Sequence, residues 1–415
     1  MRHIREGVNM SDIILDDSQQ DAVDFAINSR FAIINGGAGT GKTTIIKHIT
    51  QTLEGCGATV HLCAFAGKAA ARLREATGHN ASTIHRMLDF RGDFGFLLKT
   101  LRGKSVIMDE SSMVSSDLLA EVVARKPDRL ILVGDQAQLP PVGCGQPFHD
   151  IVRLAPERVK TLTTCYRNSE AIFKAAGFIR TGRMPAMHEE TRNEIWQIHP
   201  TGESRNTHEA ILNAVRDGEV DFTQDIILCC RNGENAEQPC SVESMNIDIK
   251  AIVNPSKSGT RLEEGDRVIC TKNCTDLDVW NGTTGTVKTF DYDGAMWVHL
   301  DYPAVDVGRT ESTGKTEYVD DVLIPRKQVI EWSLAYALTT HKSQGSQYRK
   351  VFFVCLSRDV VTLLDRPMLY TAVTRARKEC HVMGETRAFF AAIAKLEDKQ
   401  TVIQELARQR AKATV

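Results

Sequence analysis

The run from Gly36 to Thr43 constrains this chain more than any other stretch, because it follows the spacing G-x-x-x-x-G-K-T. An apolar, strand-like run at 31–34 precedes it, and a helix-like run at 44–47 follows. Glycines let backbone N–H groups surround phosphate oxygens, and the helix points its positive end at the same anion. Lys42 can reach the β- and γ-phosphates, and the Thr43 hydroxyl can ligate Mg²⁺. The run predicts a nucleoside triphosphate site but not the use of the energy.

Composition predicts an ordinary globular protein of two or three domains, since 42% of the 415 residues are hydrophobic and 25% are charged. No apolar run approaches the roughly 20 residues that span a bilayer, and residues 1–11 lack the apolar core of a signal peptide. We therefore expect a cytoplasmic protein without membrane contact. The net charge of −2 gives no support to a nucleic-acid partner and does not exclude one. The eleven cysteines form no C-x-x-C pair, which favours buried free thiols over metal ligands or disulfides.

Strand-like and helix-like runs alternate from Phe31 to about Thr163, which predicts a parallel sheet covered by helices on both faces. The Gly36 loop and two acidic segments follow strands directly, so they should meet in one crevice at the carboxyl edge. A second α/β region begins near Tyr166 and resumes after residue 325. Between its halves, 260–325 carries short alternating runs rich in Gly, Asp, Thr and Val, which predict an inserted small β-barrel or meander.

Acidic and amide side chains follow two predicted strands of the first region. Asp109 can hold Mg²⁺, and Glu110 can orient or deprotonate an attacking water. Gln138 follows the next strand and could sense the γ-phosphate or that water. The adjacent prolines at 140–141 form a rigid apolar step suited to lying against a base. We predict that the hydrolytic half of the site lies here.

Two arginines of the second region are candidates for the other half. Arg167 follows Tyr166, and Arg375 lies in the run 370–377. Arginines that reach a triphosphate from a facing domain stabilise transition-state charge and contribute about 10³–10⁵ in rate. Hydrolysis would then change how the two domains close on each other.

Taken in order, the motifs resemble those of superfamily 1 helicases, and within them the RecD-like branch that includes phage Dda helicase. The resemblance extends from Leu15 to Gly384 and is specific as an ordered set. Its inserted segment resembles an SH3-like module through Leu262-x-x-Gly265-Asp266-Arg267-Val268 and Asn281-Gly282-x-x-Gly285-x-Val287. The other motifs are Gln19-x-x-Ala22-Val23, Gly36–Thr43, Gly67–Ala70, Ser82–His85, Asp109–Met113, Gly134–Pro141, Tyr166-Arg167, Thr340–Ser346 and Thr371–Ala376.

The resemblance implies a role for each matching residue. Gln19 would read the adenine edge, Tyr166 would stack on the base, and Gly345 would lie near the γ-phosphate. Arg167 and Arg375 would be the two arginine fingers. The remaining nucleotide contacts would be Gly36, Gly37, Ala38, Gly39, Thr40, Gly41, Lys42, Thr43 and Thr44. The single-strand track would be lined by Phe65, Lys68, Ser82, Thr83, His85, Pro140, Thr340, His341 and Lys342.

Some of these assignments have structural alternatives. Many relatives have Pro-Thr before the Gly-Lys-Ala-Ala motif, where this chain has Phe65-Ala66, so Phe65 lies either on the DNA path or in the core. His85 and His341 could instead pack or cap helices, and Lys68 could be a plain surface charge. The segment 86–103 predicts a small hairpin with Phe94 or Phe96 as a strand-separating pin, or with its aromatic residues packed on the parent domain.

The resulting fold prediction is α/β, with two RecA-like P-loop domains at 1–163 and at 164–259 plus 326–415. The first would carry the 86–103 hairpin, and the second an SH3-like β-barrel at 260–325. The implied function is an ATP- and Mg²⁺-dependent helicase of replication, recombination or repair. It would move 5′ to 3′ along single-stranded DNA as a monomer, in a bacterial cytoplasm or phage-infected cell. Single-strand/duplex junctions, a single-strand binding protein and replication proteins are the expected partners.

Two other functions stay open from the sequence. An RNA helicase or remodelling translocase would use the same backbone-binding track. A non-catalytic DNA-binding or loading subunit would need no hydrolytic residues, and the presence of Lys42, Glu110, Arg167 and Arg375 argues against it.

Overall fold

The computed structural model describes residues 15–164, 170–233, 238–255, 261–274, 277, 279–302, 305–309, 316–396, 401 and 403–404. Residues 305–309 and 316–319 are described by their backbone alone.

The first α/β unit contains a six-stranded, wholly parallel sheet in the order β3-β2-β4-β5-β1-β6. Its strands are β1 (Phe31–Gly36), β2 (Thr59–Ala64), β3 (Ala81–Thr83), β4 (Lys104–Asp109), β5 (Arg129–Gly134) and β6 (Val159–Leu162). Its helices are α1 (Asp17–Asn28), α2 (Lys42–Gly55), α3 (Gly67–Thr77), α4 (Ile84–Met87), α5 (Ser116–Ala124) and α6 (Pro147–Leu154).

The central strands β1, β4 and β5 are almost wholly buried, because helices cover both faces of the sheet. This explains why their sequences are continuous apolar runs and do not alternate. All three strands run in one direction, so the loops after Gly36, Asp109 and Gly134 leave the sheet at the same edge. The predicted crevice lies at this edge.

The second α/β unit contains another six-stranded sheet, in the order β17-β9-β18-β19-β8-β7, with only the edge strand β7 antiparallel. Its strands are β7 (His188–Glu190), β8 (Ile195–His199), β9 (Ile226–Cys229), β17 (Ala337–Thr339), β18 (Tyr348–Cys355) and β19 (Ala376–Gly384). Its helices are α7 (Ala171–Arg180), α8 (Ser204–Arg216), α9 (Val242–Val253), α10 (Ser357–Val360), α11 (Arg366–Val373) and α12 (Thr386–Ala394). The predicted pair of parallel α/β sheets with flanking helices is confirmed.

An antiparallel sheet in the order β15-β12-β11-β10-β16 lies between β9 and β17 along the chain, with its own core around Trp332. Its strands are β10 (Arg267–Cys270), β11 (Thr284–Phe290), β12 (Met296–Leu300), β15 (Asp321–Ile324) and β16 (Trp332–Leu334), and β13 (Val305–Arg309) pairs with β14 (Thr316–Val319) beside it. Because β16 pairs with β10, this sheet extends past the predicted boundary at residue 325. Its SH3-like character stays a prediction.

The segment 86–103, which the sequence predicts to be a small hairpin, turns back on itself after α4. After α4 the chain makes a compact loop that is closed by one antiparallel bridge between Phe90 and Phe96, with a short 3₁₀ turn at Gly92–Phe94. Asp89, Gly92 and Gly95 all have positive φ. The N–H groups of Leu97 and Leu98 donate to the carbonyls of Asp89 and Leu88, so the loop has the pairing of a short, irregular hairpin. Its action as a strand-separating pin stays a prediction.

The described cysteines are free thiols, and all of them except Cys56 and Cys144 are buried, as the sequence predicted. Across the described ranges, we find no helix with the length and apolar character needed to cross a bilayer.

Candidate nucleotide site and nucleic-acid interface

A cavity of about 700 Å³ lies between the two α/β units. The first unit contributes the phosphate loop and the acidic pair Asp109-Glu110 at the end of β4, and the second contributes Arg375 and its neighbours. The lining residues are Gln19, Ala38, Gly39, Thr40, Gly41, Lys42, Thr43, Thr44, Ala69, Arg72, Leu73, Glu75, Ala76, Asp109, Glu110, Gln138, Phe173, Gln347, Thr374 and Arg375.

The phosphate loop depends on its glycines. Gly41 has φ of 81°, a left-handed conformation that places the first turn of α2 directly behind the loop. A side chain at Gly36 would place its Cβ 2.5 Å from the hydroxyl of Thr40. The ammonium of Lys42 donates to the carbonyl oxygens of Gly36 and Gly37, both at 2.9 Å. The sequence between β1 and α2 therefore folds around a cationic group within the loop.

Gln19 is buried at the start of α1 and lines the cavity. Its side chain completes a capping box with Asp16, and its amide nitrogen donates to the carbonyl of Thr40 at 3.2 Å. These bonds fasten α1 to the phosphate loop. The adenine-reading role of Gln19 stays a prediction.

Asp109 is the last residue of β4, Glu110 follows it, and both lie on the wall of the cavity. Burial, followed by the neighbouring Glu110 carboxylate, raises the pKa of Asp109 to about 6. Glu110 has φ of 50°, an uncommon conformation for a residue with a side chain. Within the described ranges, Glu110 Oε2 and the buried Gln138 Oε1 have no hydrogen-bond partner. Because buried polar atoms are nearly always paired in proteins, both oxygens point to a ligand in the cavity.

Arg375 enters the same cavity from the second unit and is 3% exposed. Its guanidinium donates to the carbonyls of Thr371 and Ser346, each at 3.1 Å, and to the hydroxyl of Thr374 at 3.4 Å. No carboxylate of the described residues forms an ion pair with it. Burial lowers the pKa of Arg375, while the Glu110 charge acts in the opposite direction. A buried arginine without an ion-pair partner among the described residues thus faces the acidic wall of the first unit.

The chemistry of these groups fits a nucleoside triphosphate with a divalent cation. Loop N–H groups and Lys42 are phosphate ligands, and Arg375 adds a second cation. Thr43 and Asp109 carry oxygen atoms of the kind that Mg²⁺ takes as ligands in such sites, and their role as its ligands stays a prediction. The unpaired oxygens of Glu110 and Gln138 can accept from a water.

Gly345, which was expected near the γ-phosphate, does not line the cavity. Gln347, two residues later, does. It has φ of 73° and packs against α3, where an added Cβ would lie 3.3 Å from the Cβ atoms of Ala66 and Ala69. Arg72 donates to the carbonyl of Gly345 at 3.2 Å and also lines the cavity. Arg72 was not predicted as a site residue from the sequence. It lies three residues after Ala69 of the Gly-Lys-Ala-Ala motif, and this spacing places both residues on the same face of α3.

An aromatic cluster connects the first unit with the antiparallel sheet. The ring of His85 lies 5.5 Å from Phe90, 5.8 Å from Phe96, 6.3 Å from Trp280 and 6.4 Å from Phe65, between ring centroids. Burial lowers the pKa of His85. Phe65 also packs against the core of the first unit, in line with its alternative assignment. Trp280 was not foreseen, because nothing in its local sequence places it beside α4.

Other predicted track residues lie on both units. Lys68 Nζ lies 5.1 Å from the ring centroid of Tyr348, and burial lowers the pKa of Lys68. The buried Thr83 hydroxyl accepts from the N–H of Arg86 and caps α4, while the Ser82 hydroxyl donates to the Thr83 carbonyl. Lys68 is therefore partly enclosed, and Thr83 already has a structural function.

The second-unit part of the track begins with Thr340, which is fully buried and whose hydroxyl has no partner in the described part of the chain. His341, Lys342 and Pro140 are half-buried. Burial lowers the pKa of Lys342, which lines a second cavity of about 690 Å³ beside α9. DNA contacts by these residues stay predictions.

The two pin candidates differ in exposure. Phe94 is 83% exposed at the tip of the compact loop. Phe96 packs against Phe90, and Arg125 covers its ring at 5.7 Å. Only Phe94 is therefore free to meet a strand junction. Tyr166 and Arg167 lie outside the described residues.

Family models agree with the two-unit architecture. The AAA domain family matches residues 14–199, and the UvrD-like helicase C-terminal domain family matches residues 334–383. The ATP-dependent RecD2 DNA helicase of Deinococcus radiodurans is 32% identical, over 95% of this chain and 52% of the relative. The RecBCD enzyme subunit RecD of Mycolicibacterium smegmatis is 29% identical, over 94% of this chain and 75% of the relative. The chain thus spans about half the length of the Deinococcus relative.

Solved structures support the fold. A Bacteroides Pif1 bound to single-stranded DNA aligns with 97% of this chain and 98% of its own, with a TM-score of 0.54 and 19% identity. A Pif1 helicase from Candida albicans aligns with the same TM-score at 18% identity. Such low identity supports the architecture alone. The family models and the RecD relatives support a helicase of the RecD-like branch of superfamily 1.

Proposed function

We propose that this chain is an ATP-dependent motor that moves 5′ to 3′ along single-stranded DNA and separates duplex strands. The observation that carries the proposal is the single cavity that places Lys42, Glu110 and Gln138 of one α/β unit opposite Arg375 of the other. A site divided between two units links hydrolysis to their relative position. The DNA substrate and the polarity are supported by the similarity to the RecD relatives and not by any contact within the chain.

The residues of the cavity divide the chemistry between them. Lys42 and the loop N–H groups bind the triphosphate, and Glu110 and Gln138 hold the attacking water, with Glu110 as the base. Bound Mg²⁺ would neutralise phosphate charge, with Thr43 and Asp109 as its protein ligands. Arg375 stabilises the charge that develops in the transition state. Since Arg375 belongs to the second unit, turnover requires the units to be closed.

The decisive experiment measures ATP turnover with single-stranded DNA, with single-stranded RNA and with no nucleic acid. We expect stimulation by DNA, and we expect Lys42→Ala and Glu110→Gln each to abolish turnover. Stimulation by RNA alone would identify an RNA translocase. Unchanged turnover in both variants would favour a non-catalytic subunit whose ATPase activity comes from a contaminant.

Polarity is tested separately, on duplexes that carry either a 5′ or a 3′ single-stranded tail. Unwinding of the 5′-tailed duplex is the expected result, and activity only on the 3′-tailed duplex would refute the proposed direction. The monomeric state, the cytoplasmic location and partners such as a single-strand binding protein stay predictions.

A further inference from the structure

Arg72 of α3 is a further cation of the nucleotide cavity, beside Lys42 and Arg375. Its one hydrogen bond among the described residues runs from Nη1 to the carbonyl of Gly345 at 3.2 Å. No carboxylate in the described ranges forms an ion pair with it, although Glu75 of the same helix also lines the cavity. A guanidinium has five N–H donors, so four of those of Arg72 are available to an anion in the cavity.

The strand order places α3 at the opposite end of the cavity from the phosphate loop. α3 follows β2, which pairs with β4 so that Ala64 lies beside Asp109. The phosphate loop follows β1, and β4 and β5 lie between β1 and β2 in the sheet. The acidic pair ends β4 and Gln138 follows β5, so both lie between the phosphate loop and the helix that carries Arg72.

The charge of Arg72 acts on residues of both units. Burial and then the Glu110 carboxylate raise the pKa of Asp109 to about 6, while the Arg72 charge acts in the opposite direction. Burial lowers the pKa of Arg375, the Glu110 charge raises it, and the Arg72 charge lowers it again. Two cations that disfavour each other in one cavity are both stabilised when an anion lies between them. The two guanidinium groups therefore suit an anionic ligand.

In the proposed reaction, hydrolysis moves an anion toward this end of the cavity. The oxygen of the water held by Glu110 and Gln138 forms a bond to the γ-phosphorus, and Glu110 takes a proton of that water. The bond from the γ-phosphorus to the oxygen shared with the β-phosphate breaks, and its electron pair stays on ADP. Because the attacking and leaving oxygens lie roughly in line, the phosphorus moves away from the phosphate loop. Inorganic phosphate therefore forms on the side of the cavity where α3 lies.

We propose that Arg72 binds the inorganic phosphate that hydrolysis produces, before this phosphate leaves the cavity. The inference rests on the proposed function and adds a product site to it. The ligand is an oxyanion, to which a guanidinium can donate two parallel hydrogen bonds. The carbonyl of Gly345, which belongs to the second unit, accepts one bond from Arg72 and so orients the guanidinium for this contact.

The test measures how strongly inorganic phosphate inhibits ATP turnover. ADP production is followed with single-stranded DNA and Mg²⁺ at increasing phosphate concentration and constant ionic strength. We expect Arg72→Ala to raise the inhibition constant of phosphate by about 10–150-fold, the range for lost hydrogen bonds to a charged group. The KM for ATP should change far less, because Lys42 and the loop N–H groups hold the triphosphate. Arg72→Lys keeps the charge but loses the planar fork, so its inhibition constant should lie between the two.

Arg74→Ala is the matched control. Arg74 lies on the same helix, does not line the cavity and donates to the carbonyl of Ala81 at 2.8 Å, so its loss should leave the inhibition constant unchanged. A second measurement needs no turnover: the urea midpoint of the chain with ADP and Mg²⁺ is compared with and without inorganic phosphate. A ligand of the folded state raises the midpoint, and this rise should be lost in Arg72→Ala and kept in Arg74→Ala.

The outcomes separate the product site from the proposed function. A chain that hydrolyses no ATP, or whose turnover single-stranded DNA does not stimulate, contradicts the proposed function, while the phosphate-dependent midpoint still tests Arg72. The product site is refuted if phosphate neither inhibits nor stabilises the unmodified chain, or if Arg72→Ala responds to phosphate as the unmodified chain does. An equal rise in the KM for ATP would also refute it, because Arg72 would then bind the triphosphate itself.

Discussion

Arg375→Ala should slow ATP hydrolysis far more than it weakens ATP binding. The side chain is almost fully buried, lines the nucleotide cavity and forms no ion pair within the described residues. Its charge is consequently available to the phosphates. Arginines in this arrangement contribute about 10³–10⁵ in rate, which corresponds to about 4–7 kcal/mol of the activation barrier.

The substitution also has a structural cost, which must be separated from the catalytic one. Arg375 donates three hydrogen bonds, to Thr371, Ser346 and Thr374. At about 0.5–1.5 kcal/mol each, their loss would lower the free energy of unfolding by about 1.5–4.5 kcal/mol. Arg375→Lys keeps the charge but loses the planar fork, so we expect it to retain part of the turnover.

Phosphate release at saturating ATP and single-stranded DNA measures the catalytic effect, and urea unfolding measures the structural effect. Arg216→Ala is the matched control, because this arginine of α8 is solvent-accessible and pairs with Glu209 at the surface. A decrease in kcat of less than about tenfold, in a protein that unfolding shows to be folded, would refute the assignment of Arg375 as a catalytic residue.

Three further predictions concern other parts of the chain. Asp266→Ala should lower the free energy of unfolding by about 3–5 kcal/mol, because it removes the nearer carboxylate partner of the buried Lys250 ammonium and leaves only Glu263, 3.9 Å away, as urea unfolding would measure. Phe94→Ala should reduce unwinding but preserve DNA-stimulated ATP turnover, because the exposed ring contributes little to folding. His199→Gln should weaken the decrease in the free energy of unfolding between pH 7.5 and about 5, as urea unfolding would measure. Burial lowers the pKa values of His199 and of its hydrogen-bond partner His381 in the folded state. Their contribution to stability is therefore present above the unfolded pKa of about 6.5 and is lost as the pH falls below it.

Each of these has a control and a contrary outcome. Asp21→Ala removes a surface ion pair with Lys160 and should lower the free energy of unfolding by less than about 1 kcal/mol. An equally small decrease for Asp266→Ala would contradict the stabilising role of the buried Asp266–Lys250 pair. Tyr292→Ala removes another exposed aromatic ring and should leave unwinding intact. Full unwinding by Phe94→Ala would remove it as a pin, and an unchanged acid limb in His199→Gln would exclude this histidine as its source.

Much of the first unit could be predicted from local sequence. Continuous apolar runs mark strands buried on both faces, and the residues after them must reach the carboxyl edge of a parallel sheet. For this reason the convergence of Lys42, Asp109, Glu110 and Gln138 follows from chain order alone. The loop at 86–103 pairs as a short hairpin, whereas the exposure of Phe94 and the packing of Phe96 against Phe90 depend on tertiary contacts.

Contacts between separate parts of the chain are the features that local sequence does not encode. Trp280 meets His85, Arg72 meets Gly345, and Tyr370 meets both Ala38 and Asp135, over separations of up to 332 residues. The local sequence around one residue of such a pair does not predict its partner, because spacing patterns indicate only which residues are neighbours within one helix or strand.

By itself, the sequence determined that this chain has a phosphate-loop motif, an acidic pair at the end of a buried strand and arginines in a second α/β region. Those properties depend on residue type and on the periodicity of single elements. Tertiary structure alone decided that Arg375 faces Glu110 across one cavity, and that Tyr370 and Thr371 bind the loops around it. The reason is physical: the packing of two units fixes which side chains share a dry cleft, and no local pattern records that packing.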